Sequence, residues 1–283
     1  MRHKIIDKKD LCPGNYLIEI EAPNIAQRFE PGQFVIVRIN EKGERIPLTV
    51  ADFDTQKGTI TLIFQAVGKS TMQLGTLNIG DAVLDCVGPL GKPSEIKKFG
   101  RVICVGGGTG IACIYPLIRA LADAGNEVIS IIGARTASLL ILEDEITVLI
   151  SRTFVATDDG SKGHHGFVTD VLTNLLDEYR NSGGIDRVIA IGPPVMMRTV
   201  ADITRPLHIK TIVSLNSIML DGTGMCGSCR VFIDGEMKLA CIDGPEFDAH
   251  KVNFEDLVSR LEMFKEKESE AMNRYSIKAG VRK

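Results

Sequence analysis

The spacing of apolar and polar positions changes character along the chain. From residue 4 to about 95, short alternating runs recur between turn signals: Tyr16-Leu-Ile-Glu-Ile, then Phe34-Val-Ile-Val-Arg-Ile after Pro31-Gly32, then Thr59-Ile-Thr-Leu-Ile-Phe after Lys57-Gly58. A period of two at this spacing predicts an antiparallel sheet that closes into a barrel. From Arg101 the runs become continuous. Val102-Ile-Cys-Val105 is wholly apolar and feeds Gly106-Gly-Gly-Thr-Gly110, after which Ile111 to Ala124 carries apolar residues at helical spacing. Further strands are predicted at Val128–Ile132, Thr153–Ala156 and Val188–Ile191, the last behind a Gly183-Gly184 turn. Strands alternating with helices imply a parallel sheet. A segment rich in Ser, Gly and Cys begins near residue 206, and Phe254 to Tyr275 reads as one helix with Phe254, Leu257, Val258, Leu261 and Phe264 on one face. Such a stripe suits the chain's own core or a partner's, and the pattern does not choose between them. The expected architecture is α+β multidomain: an antiparallel β-barrel over residues 1–97, a doubly wound parallel α/β domain over 98–205, and a small C-terminal module over 206–283.

Composition removes several classes of function. A net charge of −3 gives no global attraction to nucleic acid or anionic membrane, and the absence of Trp with only 5% aromatics leaves no stacking platform for single strands. The first ten residues are too polar for a signal peptide and no apolar run has spanning length, so the expected compartment is the cytoplasm. Of the seven cysteines, Cys12, Cys86, Cys104 and Cys113 lack framework spacing and read as small buried hydrophobes.

The other three cysteines carry chemistry. Asp221-Gly-Thr-Gly-Met-Cys226-Gly-Ser-Cys229, with Cys241 beyond, reproduces the plant-type [2Fe-2S] ligand spacing, with an aspartate where the first cysteine would stand. Asp221 supplies an anionic oxygen at that place, and the glycines at 222, 224 and 227 let backbone amides approach bridging sulfides. Tetrahedral zinc is the competing reading of three thiolates and a carboxylate, but zinc ribbons show two paired-cysteine knuckles and this chain has one.

Gly106 to Gly110 sit where a strand feeds a helix, which is the place for a pyrophosphate. The loop lacks the full GxGxxG form, and the second strand runs into Gly133-Ala-Arg135-Thr136 with no acidic residue at its end. Arg135 suits either a nucleotide phosphate or solvent; Glu143, Asp144 and Glu145 suit either a ribose or a helix surface. In the barrel, Arg45-Ile-Pro-Leu-Thr49 combines a cation, a rigid proline and a hydroxyl. Phe64-Gln-Ala-Val-Gly-Lys-Ser-Thr71 makes a second phosphate cradle, or an ordinary helix cap on Ser70 or Thr71. Asp158-Asp159 reads as a turn, His164-His165 as a solvent-facing loop, and Met196-Met197 as core.

The order of these elements resembles the ferredoxin-NADP reductase superfamily over nearly the whole chain. It resembles most the branch of dihydroorotate dehydrogenase electron-transfer subunits and the small subunits of NADH-dependent ferredoxin:NADP oxidoreductases. Thr157-Asp-Asp-Gly-Ser161, Gly166-Phe-Val-Thr169 and Cys241-Ile-Asp-Gly-Pro-Glu-Phe247 carry the second likeness. The resemblance implies that Arg45, Pro47, Leu48 and Thr49 hold FAD, with Thr49 beside the isoalloxazine N5. It implies that Phe64, Gln65, Ala66, Gly68, Ser70 and Thr71 grip the rest of the flavin. Gly107, Gly108, Thr109 and Gly110 match the nicotinamide nucleotide's phosphate loop, and Gly192, Pro193 and Met196 the segment over the nicotinamide; Arg135, which suits a 2′-phosphate, and Asp158 are further candidate cofactor-binding residues. Asp221, Cys226, Cys229 and Cys241 would hold the cluster, the aspartate favouring the ferredoxin:NADP branch. The implied activity is hydride exchange between NAD(H) and FAD, with single electrons passed to the cluster, inside an electron-bifurcating heterodimer. The implied partner is a larger subunit carrying flavin and [4Fe-4S] clusters, through which ferredoxin and NADP are reached. The alternatives are a dihydroorotate dehydrogenase electron-transfer subunit and a zinc-stabilised binding module.

Overall fold

A computed structural model describes residues 2–279. Seven antiparallel strands form the first sheet: β1 (His3–Cys12), β2 (Asn15–Glu21), β3 (Phe34–Arg38), β4 (Arg45–Asp54), β5 (Thr59–Gln65), β6 (Ala82–Val83) and β7 (Asp85–Leu90). Their spatial order is β6-β1-β2-β5-β4-β3-β7. The edge strands β6 and β7 are consecutive in the chain, separated only by Leu84, whose amide donates to Arg38 O at 2.9 Å. The sheet therefore curls until its two edges meet, which hides backbone groups that an open edge would expose. The inward positions of the alternation, including Ile5, Ile18, Ile20, Val35, Ile60 and Leu62, are fully buried. Two short helices, α1 (Pro23–Ala26) and α2 (Lys69–Gly75), attach to this barrel.

The second sheet begins with six strands: β8 (Arg101–Gly107), β9 (Glu127–Ala134), β10 (Arg152–Thr157), β11 (His164–His165), β12 (Arg187–Ile191) and β13 (Lys210–Ser214). All neighbours among them are parallel, as continuous apolar runs require when both faces are covered. The covering helices are α3 (Gly110–Asp123), α4 (Glu143–Leu149), α5 (Val168–Tyr179) and α6 (Pro194–Thr204). Beyond them lie the hairpin β14 (Arg230–Ile233) and β15 (Glu236–Leu239), then α7 (Ala240–Asp243), β16 (Glu246–Asp248), α8 (Phe254–Leu261) and α9 (Lys265–Ala279). Strand β16 pairs antiparallel with β13, giving the order β11-β10-β9-β8-β12-β13-β16. The parallel sheet thus extends past residue 205 and ties the cysteine segment to the α/β unit. Among the described residues, no helix is long and apolar enough to cross a membrane.

Two local expectations are corrected. His164-His165 is not a loop but strand β11, paired with Ala156 and Thr157. The single helix over 254–275 is broken at residues 262–264 into α8 and α9. The apolar stripe ends there: Phe254 and Leu257 are buried in the chain's own core, while α9 is charged on most of its surface.

The units are joined by packed seams. Ala51 and Ile63 of the barrel share a core with Ile111 and Ile114 of α3, and Arg119 Nη2 pairs with Asp52 Oδ1 at 2.6 Å across the same junction. At a second seam Ser94 Oγ donates to Glu246 Oε1 at 2.5 Å. Burial pushes the Glu246 carboxyl above its ordinary range, against the pull of Ser94 and Arg187. A raised carboxyl pKa stabilises the fold at acid pH, and that contribution is lost as pH rises through the folded value. Glu246→Gln keeps an acceptor for Ser94 and removes the buried charge. Its thermal midpoint should exceed the parent's by about 2 °C at pH 8, with a smaller gap at pH 5. A lower midpoint for the variant at pH 8 would mean that the carboxylate is favourable there.

Candidate functional site

In the parallel sheet, β9 lies on one side of β8 and β12 on the other, so the order reverses between β8 and β12. A crevice opens beyond the carboxyl ends of strands at such a switch point. The structure brings the predicted loops there. Gly107 ends β8, Gly192 and Pro193 follow β12, and Met196 Sδ and Pro193 Cδ lie 2.5 and 3.2 Å from where a Cβ on Gly107 would stand. A Cβ on Gly110 would meet Ile191 O at 2.2 Å, so only glycine lets α3 start directly over β12. Gly108 has φ +57, its amide donates to Gly133 O at 2.8 Å, and the space where a side chain would project is open. Thr109 is the N-cap residue of α3, without a side-chain capping bond.

The far end of the crevice is formed by β9 and β10. Asp158 N donates to Ala134 O and Asp159 N to Arg135 O, both at 3.2 Å, which sets Arg135 and Asp158 side by side at the sheet edge, both exposed. Asp158-Asp159 is the turn that the residues suggested. Glu143 instead takes the Lys162 ammonium at 2.7 Å at the start of α4, a helix surface. Phe167, 61% exposed, stands at the same edge, because Gly166 N donates to Thr157 O at 3.1 Å. Met197 is fully buried core, whereas Met196 faces the glycine loop.

In the barrel, Pro47, Leu48 and Thr49 pair with Ile36, Val35 and Phe34, and Arg45 is exposed at the start of β4. The Cys113 side chain, one turn into α3, lies beside Thr49, and its thiol donates to Thr109 O at 3.8 Å. This contact brings the Arg45–Thr49 element against the glycine-loop helix, which the sequence placed in a separate unit. Phe64 is 2% exposed and stacks at 5.8 Å on Tyr16, so its ring serves the barrel core; Gln65 is exposed and Ala66 N donates to Gly14 O. The cap of α2 is Gly68, not Ser70 or Thr71. Thr71 Oγ1 accepts from Val67 N at 3.1 Å and Gly68 N at 3.0 Å, so it holds the turn. Ser70 Oγ donates to Glu44, which also takes Lys69 Nζ at 3.4 Å. The two donors at this turn therefore already bind an anion, and donor chemistry of this kind fits a flavin phosphate. Glu44 carried no signal in the sequence, since it lies in a turn between strands.

The cysteine loop packs on the barrel. Gly222 has φ +78, and a Cβ there would meet Ile36 and Leu90 at 2.8 Å, so the loop reaches that face only with glycine. Asp221 Oδ1 accepts from Thr223 N and Oγ1 at 2.5 and 2.6 Å, and Oδ2 accepts from Cys226 N at 2.8 Å. These donors hold the carboxyl far below the usual carboxylate range, and it stays anionic. Cys229 and Cys241 are both 2% exposed, with sulfurs 3.2 Å apart, while Cys226 is exposed and lies 3.2 Å from Ser228 Oγ. Burial and the adjacent Cys229 sulfur push the Cys241 thiol upward, which bound iron would reverse by favouring thiolate. Among the described residues no three His, Cys, Asp or Glu side chains converge closely enough to hold a metal ion. Two sulfurs are together, and the third shares a loop with an anionic carboxylate. Three cysteines at the plant-type spacing, with an anionic oxygen in the fourth place, fit an iron–sulfur cluster. The remaining cysteines fit the small-hydrophobe reading in part: Cys86 and Cys104 are buried, burial pushing Cys86 up to about 12, whereas Cys12 and Cys113 are half-buried.

Residues 216–253 match the iron–sulfur cluster binding domain of dihydroorotate dehydrogenase B, and residues 104–202 match an oxidoreductase NAD-binding domain. A dihydroorotate dehydrogenase B (NAD(+)) electron transfer subunit homolog from Thermotoga maritima is 43% identical, covering 98% of this chain and 97% of its own. The chain belongs to the dihydroorotate dehydrogenase B electron-transfer subunit family. The family's Bacillus caldolyticus subunit is 33% identical over 89% of this chain and 97% of its own. A solved NADH-dependent reduced ferredoxin-NADP oxidoreductase structure, studied for flavin-based electron bifurcation, superposes with TM-score 0.90 at 41% identity. It covers 97% of this chain and 98% of that one. Phthalate dioxygenase reductase shares the fold alone, at TM-score 0.61 and 19% identity, covering 82% of this chain and 86% of that one. The chain is thus an NAD(H)-dependent flavin iron–sulfur oxidoreductase subunit that transfers electrons, with FAD, an iron–sulfur cluster and NAD(H) as cofactors. The match to an iron–sulfur domain displaces the zinc reading.

Proposed function

We propose that this chain is the small subunit of an NADH-dependent ferredoxin:NADP oxidoreductase, exchanging a hydride between NAD(H) and FAD and single electrons with a [2Fe-2S] cluster. The observation that carries it is the whole-length likeness to the solved ferredoxin-NADP oxidoreductase, supported by Asp221 in the first ligand position. When bound, FAD supplies the exchange between two-electron and one-electron chemistry. Every role for the protein is then one of binding and orientation. Gly108 leaves the backbone open to a pyrophosphate, Gly107, Pro193 and Met196 shape the nicotinamide end, and Arg135 and Asp158 flank the ribose end. Arg45, Pro47, Leu48 and Thr49 would hold the flavin beside α3, where β4 packs on the glycine-loop helix, and would keep hydride donor and acceptor near one another. Gln65, Ala66, Gly68, Ser70 and Thr71 line the rest of the flavin, with Phe64 supporting from the core. Asp221, Cys226, Cys229 and Cys241 hold iron.

The partner in this reading is a larger subunit with its own flavin and [4Fe-4S] clusters, and the assembly splits electron pairs between ferredoxin and NADP. Exposed apolar side chains around the cysteine loop support a docked protein: Leu220 (50%), Met225 (88%), Met237 (51%), Ile242 (45%) and Met263 (56%). A dihydroorotate dehydrogenase partner is the second reading, favoured by the match over residues 216–253. Purification from the native cell with its partner tests the two. NADH with reduced ferredoxin should reduce NADP(+) in the assembly; NAD(+) reduction driven by dihydroorotate instead would overturn the first reading in favour of the second.

The flavin cradle has its own test. Ser70→Glu adds a second carboxylate beside Glu44 where phosphate is expected, so flavin content after purification should fall at least about tenfold. Thr71→Val loses the acceptor for Val67 N and Gly68 N, so it should lower stability by about 1 kcal/mol and lower flavin content less than Ser70→Glu does. Stoichiometric FAD in the Ser70→Glu protein would put the phosphates elsewhere.

A further inference from the structure

Beside the cysteine loop, β14 and the turn between α8 and α9 enclose a cavity of about 140 Å³. That is room for roughly four or five waters at about 30 Å³ each. Its lining mixes the apolar Leu257, Leu261, Met263 and Phe264 with the polar Ser217, Ser228, Arg230 and Arg260. Arg260 Nη2 donates to Ser228 O at 3.3 Å, and Arg230 Nη1 lies 3.5 Å from where a Cβ on Gly227 would stand. Both guanidinium groups therefore lean on the two residues that follow Cys226. Among the described residues neither has a carboxylate within 4.0 Å. Asp256, one turn before Arg260 on α8, leaves its own Oδ2 without a hydrogen-bond partner. Ser217 is 7% exposed, and its hydroxyl has no partner either.

A single ligand answers the two arginines and Ser217; the Asp256 oxygen, itself an acceptor, is not among its partners. Two guanidinium groups without a carboxylate partner and an orphan hydroxyl call for acceptor oxygens, and a carboxylate offers about four lone-pair sites in a plane that guanidinium matches. The apolar part of the lining offers no hydrogen bond and suits carbon. A phosphate or sulfate would turn oxygens against Leu257 and Phe264 and leave them unsatisfied. We propose that this cavity is a carboxylate-binding site, taking a carboxylate on a short apolar stem against Cys226. A free small monocarboxylate and an Asp or Glu side chain of a docked protein share that chemistry. With Cys226 as an iron ligand, as read above, the added negative charge lowers the reduction potential of the cluster.

The test titrates the intact, cofactor-loaded chain with butyrate and with butyramide, its neutral counterpart, followed by calorimetry and by the methyl resonance of Met263. Butyrate should bind at one saturable site, at least about tenfold more tightly than butyramide, and Arg230→Ala and Arg260→Ala should each weaken it about tenfold while FAD and iron contents hold. Arg260→Glu weakens subunit association where a docked protein supplies the carboxylate, and leaves it unchanged where the ligand is free; either result keeps the site. Butyrate binding with no shift in cluster potential also keeps the site and counts against Cys226 as an iron ligand. Equal binding of butyrate and butyramide, or arginine variants that bind butyrate like the parent, would overturn the proposal.

Discussion

Asp221→Ala protein should purify with most of its iron lost and its FAD retained, whereas Asp221→Cys should keep a cluster of shifted reduction potential. The carboxylate has two separable roles. Its oxygens accept from Thr223 and Cys226, which shapes the loop, and its charge is the fourth anionic donor in the proposed ligand set. Alanine removes both, leaving the Cys226 amide without its acceptor and iron without a donor. Cysteine restores an anionic donor within reach but exchanges oxygen for softer sulfur, so occupancy recovers and the potential moves. Asp221→Asn separates the roles in part: its one oxygen keeps the acceptor for Thr223, its NH2 cannot accept from Cys226 N, and without the charge it should bind iron poorly. Iron content, electron paramagnetic resonance of the reduced protein and a redox titration read all three variants. An alanine variant with full iron, unchanged potential and unchanged spectrum would remove Asp221 from the ligand set.

Much of this is legible in the sequence because it rests on local rules. Period-two runs gave strands β2, β3 and β5, continuous apolar runs gave β8, β9, β10 and β12, and the glycine loop fell at the strand–helix junction where a switch point forms. What escaped depends on distant residues. β16 has only three residues, and its pairing with β13 is visible only in space. His164-His165 becomes a strand because the end of β10 offers it an edge, not because of any propensity in its own letters. The break between α8 and α9 comes where the apolar stripe ends, and helical periodicity carried one residue too many across it. Glu44 at Ser70, and Thr49 against Cys113, are likewise products of tertiary packing. The second of these matters most, since it turns two separately read loops into one crevice.

Gly108→Val should raise the Michaelis constant for NADH about a hundredfold while FAD and iron contents stay at parental levels. At φ +57 a β-branched residue is strained by at least about 1–2 kcal/mol, which acts locally because nothing lies within 4 Å of the new Cβ. The protein can therefore fold around the substitution. The added methyl groups project into the open side of the loop, where the pyrophosphate must approach backbone amides, and a hundredfold loss corresponds to about 2.7 kcal/mol of lost binding. Gly108→Ala carries most of the strain with less of the obstruction, so it should fall between the two. Gly110→Ala is the contrasting case: its Cβ would strike Ile191 O at 2.2 Å, and loss of fold rather than loss of affinity is expected. Stopped-flow reduction of the bound flavin by NADH and by NADPH reads the result. The missing acid at the end of β9 and the exposed Arg135 leave room for a 2′-phosphate, so equal or faster reduction by NADPH would overturn the NADH preference and spare the site. Parental rates and affinities with both nucleotides in the valine variant would remove the glycine loop from the nucleotide site, and with it the reading of this chain as the point where NADH electrons enter or leave.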